Sequence, residues 1–178
     1  WNMAKYVPGE NIITVSDELI STNNGGYFEI PLKLSNKMNE FSALGLELNY
    51  PSENFRLVSA TMPKTTNKNI SVKINPSYEE IITDDNDLLV TDIDGVIRVV
   101  FATTSHFDVA AGDEVIRLGF RTLNKPKQGE LNFSLMGSGV IGDQYGRESP
   151  DNYLSMPRIY VQGSDSDPGF EFLAYPNP

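Results

Sequence analysis

Two consecutive strand-like runs between Asp94 and Leu123, the second the more cleanly alternating, constrain this chain more than any other feature. In DGVIRVVFATTSHFDVAAGDEVIRLGFRTL, Ile97, Val99 and Phe101 share one face. Val96, Arg98, Val100 and Ala102 share the other, because side chains alternate along a strand. In the second run Ile116, Leu118 and Phe120 oppose Arg117, Gly119 and Arg121, the pattern of a strand with one buried and one wetted face. A connection rich in small and polar residues, carrying His106, joins the two runs.

The same period recurs along the chain. From Tyr27 to Ser35, Phe28, Ile30, Leu32 and Leu34 alternate with Tyr27, Glu29, Pro31, Lys33 and Ser35. Pro31 has no N–H for a ladder, which predicts an edge strand or a bulge there. From Ser42 to Tyr50, Leu44, Leu46, Leu48 and Tyr50 point one way and Ala43, Gly45, Glu47 and Asn49 the other, so the second face carries small residues. Shorter runs at 11–16, 55–62, 70–74, 128–136 and 157–162 read as further strands, with Leu131, Phe133 and Leu135 facing inward. Residues 137–146 carry glycines and read as turn-rich or bulged, and the pattern loosens between Pro76 and Asp94. No window has a helical period with a cap. About nine strands at this spacing predict an all-β chain, a two-sheet antiparallel β-sandwich of jelly-roll topology. The predicted organisation is an arm at 1–10, a sandwich at 11–162 and a polar linker, GSDSDPG, leading into the last residues of 163–178.

A chain of 178 residues can bury a core without staples, and it has no cysteine, which excludes disulfides, thiolate metal sites and cysteine nucleophiles. The net charge of −10, from 24 acidic and 14 basic residues, repels phosphate backbones and argues against a nucleic-acid partner. No apolar run approaches the ~20 residues that cross a bilayer, and WNMAKY at the start has no signal-peptide pattern, so the chain reads as a mature or trimmed fragment.

The order of the runs resembles a cohesin module. The resemblance is carried by Phe28–Asn36 (FEIPLKLSN), Leu44–Pro51 (LGLELNYP), Gly95–Ser105 (GVIRVVFATTS), Val115–Arg121 (VIRLGFR), Val140–Gly146 (VIGDQYG) and Arg158–Gln162. It spans roughly residues 11 to 162, and the family's Asp between the Tyr and the Pro is missing at Tyr50-Pro51. It implies a non-catalytic module in protein–protein attachment, whose partner is a dockerin held on one flat sheet face. In the family that face includes the third and sixth strands, which here gives Ala43, Gly45, Glu47 and Asn49 with Arg98, Val100 and Ala102. Small residues there would let a partner helix approach, and Glu47, Asn49 and Arg98 would supply polar contacts. Calcium would belong to the dockerin, so no cofactor is implied for this chain. The closing Tyr175-Pro176-Asn177-Pro178 resembles the opening of the C-terminal sorting domain of proteins exported by the type IX system of Bacteroidetes, implying a truncated sorting domain and a secreted or cell-surface location.

Chemistry elsewhere is sparse. His106 is the single histidine and has no nucleophile elbow or metal-ligand partner near it in sequence. The acidic run containing Asp84, Asp85, Asp87, Asp92 and Asp94 lacks the alternate oxygen spacing and distal Glu of a calcium loop, so it reads as a solvated loop. A carbohydrate-binding accessory module of a secreted enzyme, with polysaccharide as ligand, is the alternative function, and a passive spacer the third. The single Trp and the scattered Tyr27, Tyr78, Tyr145, Tyr153 and Tyr160 offer no sequence-evident sugar platform.

Overall fold

The computed structural model describes residues 11–23, 26–63, 72–75, 80–83, 88–123 and 130–162; the arm at 1–10 and the segment 163–178 lie outside them. The described residues form β1 (Ile13–Asn23), β2 (Tyr27–Leu34), β3 (Met38–Asn49), β4 (Phe55–Thr61), β5 (Val72–Asn75), β6 (Glu80–Thr83), β7 (Leu88–Ile93), β8 (Val96–Val109), β9 (Glu114–Thr122), β10 (Glu130–Asn132), β11 (Met136–Asp143) and β12 (Leu154–Gln162). One sheet runs β1-β12-β2-β9-β4, with β10 also on β12, and the other runs β11-β3-β8-β7-β6-β5. This is the expected all-β sandwich with no helix among the described residues. One pair, β1 with β12, is parallel, and the other ladders are antiparallel.

The inward-facing sets meet between the sheets. Ile30, Leu32, Leu44, Leu48, Ile97, Val99, Ile116, Leu118 and Phe120 are all fully buried. Phe28 lies 5.9 Å from Phe120 in a stacked pair and 5.8 Å from Phe55 edge-on, and Phe133 closes the group 4.9 Å from Phe120. Burying each such side chain contributes about 1.5–3 kcal/mol.

Several boundaries differ from the sequence reading, each for a visible reason. The first strand continues through Asp17 and Glu18 to Asn23, because β12 supplies a backbone ladder where the side chains give no period. His106 is not in a loop: β8 extends to Val109 and pairs Phe107 with Phe41 of β3, and the crossing to the other sheet is made only at Ala110–Asp113. The glycine-bearing stretch after Met136 is strand β11, laddered on β3 from Met136↔Asn49 to Asp143↔Phe41. Pro31 sits in β2 between β9 and β12, but the β12 ladder covers only Leu34 and Lys33. Leu34 donates its N–H to Asp113 on the β9 side. Because N–H direction alternates along a strand, the missing N–H of Pro31 belongs to the β12 side, beyond the end of that ladder.

Candidate partner-binding face

The register of β3 and β8 brings the sequence-derived residues together. Ala43 lies opposite Ala102, Gly45 opposite Val100 and Glu47 opposite Arg98, so six of the seven are direct cross-strand neighbours on the outer face of the second sheet. Asn49 continues the row opposite Val96. Arg98 Nη2 lies 2.6 Å from Glu47 Oε2, an ion pair with both partners partly in water, a setting worth no more than about 1 kcal/mol.

Accessibility divides this face. Ala43 is 5% exposed and Gly45 is buried; on β11, Val140 opposite Gly45 is 2% exposed and Ser138 opposite Glu47 is 5% exposed. The β11 side of the row is therefore closed. Its open part runs the other way, where Leu89 of β7 lies opposite Val100, Thr91 opposite Arg98 and Ile93 opposite Val96. Val100, Leu89 and Ile93 are 52%, 47% and 51% exposed, and Met136, opposite Asn49, is 56% exposed. Apolar side chains this exposed, on neighbouring registered strands, form a patch that includes the Glu47–Arg98 pair, the composition of surfaces that receive partners.

Leu89, Ile93 and Met136 were not in the sequence-derived set. A signal for the first two was present: Leu88, Val90 and Asp92 alternate with Leu89, Thr91 and Ile93, and Asp94-Gly95 follows. Both turn residues have positive φ, 52° and 87°, the combination that closes a two-residue hairpin with the right twist. β7 and β8 are that hairpin.

The acidic run is accordingly not a solvated loop throughout. Asp92 lies in β7 and is 6% exposed. The Tyr50 hydroxyl donates to Asp92 Oδ2, and Gly95 N–H donates to Oδ1 at 3.2 Å. The same hydroxyl accepts the Leu57 N–H at 3.2 Å. Burial first, and then the hydrogen bond to the carboxylate, push the Tyr50 hydroxyl well above the ordinary tyrosine range. This cluster fixes the end of β3 against the β7–β8 hairpin and so sets the plane of the patch. Asp84, Asp85 and Asp87 lie outside the described residues, and Asp94 is an exposed turn residue. His106 is exposed on β8, and no described group of His, Asp or Glu is gathered closely enough to hold a metal ion.

The outer face of the first sheet is organised differently. Tyr27 donates to Glu29 Oε2 at 2.7 Å and meets Ser59 Oγ at 2.9 Å, directly over Gly119, where a Cβ would collide with the tyrosine hydroxyl. Arg117 bridges Glu29 at 3.0 Å and Glu114 at 2.5 Å. The Tyr27 hydroxyl, and then Arg117, hold the Glu29 carboxyl below its ordinary range. These charges are matched within the sheet, whereas Leu89, Ile93 and Val100 of the β7–β8 patch are half-exposed apolar side chains.

No protein-family model matches the sequence, and no curated protein does. Solved structures do. A type I cohesin–dockerin complex from Clostridium thermocellum superposes with a TM-score of 0.56 at 14% identity, over 80% of this chain and 94% of that one. The fold is that of the cohesin modules. A cohesin from Clostridium acetobutylicum gives a TM-score of 0.56 at 14% identity over 85% of this chain and 91% of its own. The sixth cohesin of scaffoldin B from Acetivibrio cellulolyticus, in complex with a dockerin, gives 0.53 at 16% identity over 83% and 95%. The cohesin fold thus accounts for nearly the full length of each of these neighbours, and the resemblance read from the strand patterns extends to the three-dimensional arrangement.

Proposed function

We propose that the chain is a non-catalytic attachment module that receives a dockerin-like protein on the outer face of β3, β8 and β7. Val100, Arg98, Ala102, Glu47 and Asn49 are its accessible centre, Leu89, Ile93 and Met136 extend it, and Ala43 and Gly45 form its closed flank without direct contact. The observation that carries this reading is the registered, half-exposed Leu89–Val100 pair beside the Glu47–Arg98 ion pair on one sheet face. Apolar anchors at the centre of an interface with a charged pair to fix register are how such surfaces gain affinity and specificity. The cohesin fold, and neighbours solved in complex with dockerins, support the choice of partner. The same reading places the module outside the cell, in keeping with the resemblance of Tyr175–Pro178 to a type IX sorting signal.

The test is calorimetric titration of the chain with a panel of recombinant dockerin modules, repeated with Val100→Asp, Leu89→Asp and Glu47→Lys. Arg121→Glu, on the opposite sheet, is the control. The expected result is saturable binding by a panel member, weakened at least about tenfold by each of the three substitutions and unchanged by the control. Binding that ignores all three rejects the face, and a panel without any binder counts against the dockerin-like partner.

A further inference from the structure

Among the described residues β11 is the end strand of the second sheet, so half of its peptide groups have no neighbouring strand there. Val140 is registered with Gly45 and Ser138 with Glu47, and the groups that turn away from β3 belong to Gly137, Gly139, Ile141 and Asp143. Most of these are capped. Asn11 Oδ1 accepts the Gly137 N–H at 2.9 Å, and Ile12 N–H donates to the Gly137 carbonyl at 2.7 Å. At the other end Ser149 N–H donates to the Ile141 carbonyl at 2.8 Å, and Asp143 N–H donates to Arg147 at 3.0 Å. Between the two clips the N–H and C=O of Gly139 face a cleft of about 360 Å³ whose walls include Ile12, Val140, Glu148, Ser149 and Tyr153. A Cβ at position 139 would collide with the Gly45 carbonyl, so the residue there must be glycine and has no side chain of its own to shield these two groups.

We propose that this cleft binds the acetamido group of an amino sugar. A donor and an acceptor on one residue of a strand edge are complemented by an amide, which returns one acceptor and one donor. A peptide strand running along the edge is excluded, because the Asn11–Ile12 and Glu148–Ser149 clips close both ends of the free stretch. A compact amide entering end-on meets neither. Ile12 and Val140 receive its methyl group, and Tyr153, 43% exposed on the wall, offers an amphipathic ring for the sugar's C–H face. Glu148 and Ser149 supply acceptors and a donor for hydroxyl groups. None of these residues belongs to the β3–β8–β7 patch, so this proposal and the dockerin reading fail independently.

The experiment is amide-resolved NMR titration of the full chain with N-acetylglucosamine, glucose and N-acetylglycine methylamide. The expected result is a saturable shift of the Gly139 amide with N-acetylglucosamine, at an affinity at least about tenfold above glucose. Tyr153→Ala weakens it about tenfold, Tyr153→Phe retains it, and Val100→Asp leaves it unchanged. No saturable shift at Gly139, or an equal response to glucose, overturns the proposal. Equal affinity for N-acetylglycine methylamide overturns the sugar and assigns the cleft to peptide amides.

Discussion

Tyr50 places its ring 5.0 Å from Phe120 in the core and its hydroxyl against the buried carboxylate of Asp92. Removing the hydroxyl by Tyr50→Phe keeps the ring packing but takes one donor from Asp92 and one acceptor from the Leu57 N–H, both in buried surroundings. Leaving such groups unmatched costs about 1–3 kcal/mol, to be read from the urea midpoint; a loss below about 0.5 kcal/mol, the scatter of surface substitutions, would show that the cluster is not structural. The same contact has a pH signature. The hydroxyl's pKa is raised on folding, so its contribution is complete below the ordinary tyrosine pKa of about 10 and is lost as pH rises above that value. Above it the unfolded chain releases a proton that the folded chain keeps, and unfolding gains. Stability should therefore fall above pH ~10 in the wild type and fall less in Tyr50→Phe. From the sequence, Tyr50 was legible as the last apolar member of an alternating run, but its need for an acceptor was not. Asp92 stood in an acidic run, and nothing in the sequence marks it as the member that β7 buries.

Elements were legible in proportion to the one-sidedness of their burial. β2 and β9 have a fully buried face and a wetted face, and their alternation announces them. β1 fails that test because Val15 and Leu19 are 61% and 56% exposed at the open side of the sheet. Its course is set by backbone pairing with β12, which leaves no trace in side-chain period. β11 fails for the opposite reason, since its glycines mimic a turn but serve close approach. A Cβ at Gly137 would collide with the Glu47 carbonyl and reach Leu48 Cα at 2.8 Å. Gly137→Ala therefore forces β11 away from β3 and should cost about 1–3 kcal/mol, the usual range for overpacking. Chemical denaturation checks the size, and loss of protection at the β3–β11 amides checks the place. An alanine that leaves both unchanged would mean that β11 is loosely held. The candidate face was legible in its β3 and β8 members, whose register follows from their inward residues. Its β7 members were hidden because the hairpin signal Asp94-Gly95 fell at the margin of an acidic segment.

At the scale of the whole molecule, the two sheets are joined by their common core and by backbone that belongs to both. Ile12 is such a residue: its N–H donates to Gly137 of β11 at 2.7 Å, and its carbonyl accepts the Leu154 N–H of β12 at 2.9 Å. A single residue thus ties the end strand of one sheet to the other sheet through its two backbone polar groups. The side chain and the backbone bond can be separated by substitution. Ile12→Ala removes only apolar burial, whereas Ile12→Pro removes similar burial and also the N–H, leaving the Gly137 carbonyl without that donor. Ile12→Pro should therefore be less stable than Ile12→Ala by at least about 1 kcal/mol, the net worth of a hydrogen bond plus the cost of an unmatched carbonyl. Hydrogen exchange should quicken first at the β11 amides and at Leu154, before the central strands respond, because local opening starts where few apolar contacts hold the backbone. Equal stability of the two variants would show that the sheets are held by the core alone and that the clip at Ile12 follows from closure rather than enforcing it.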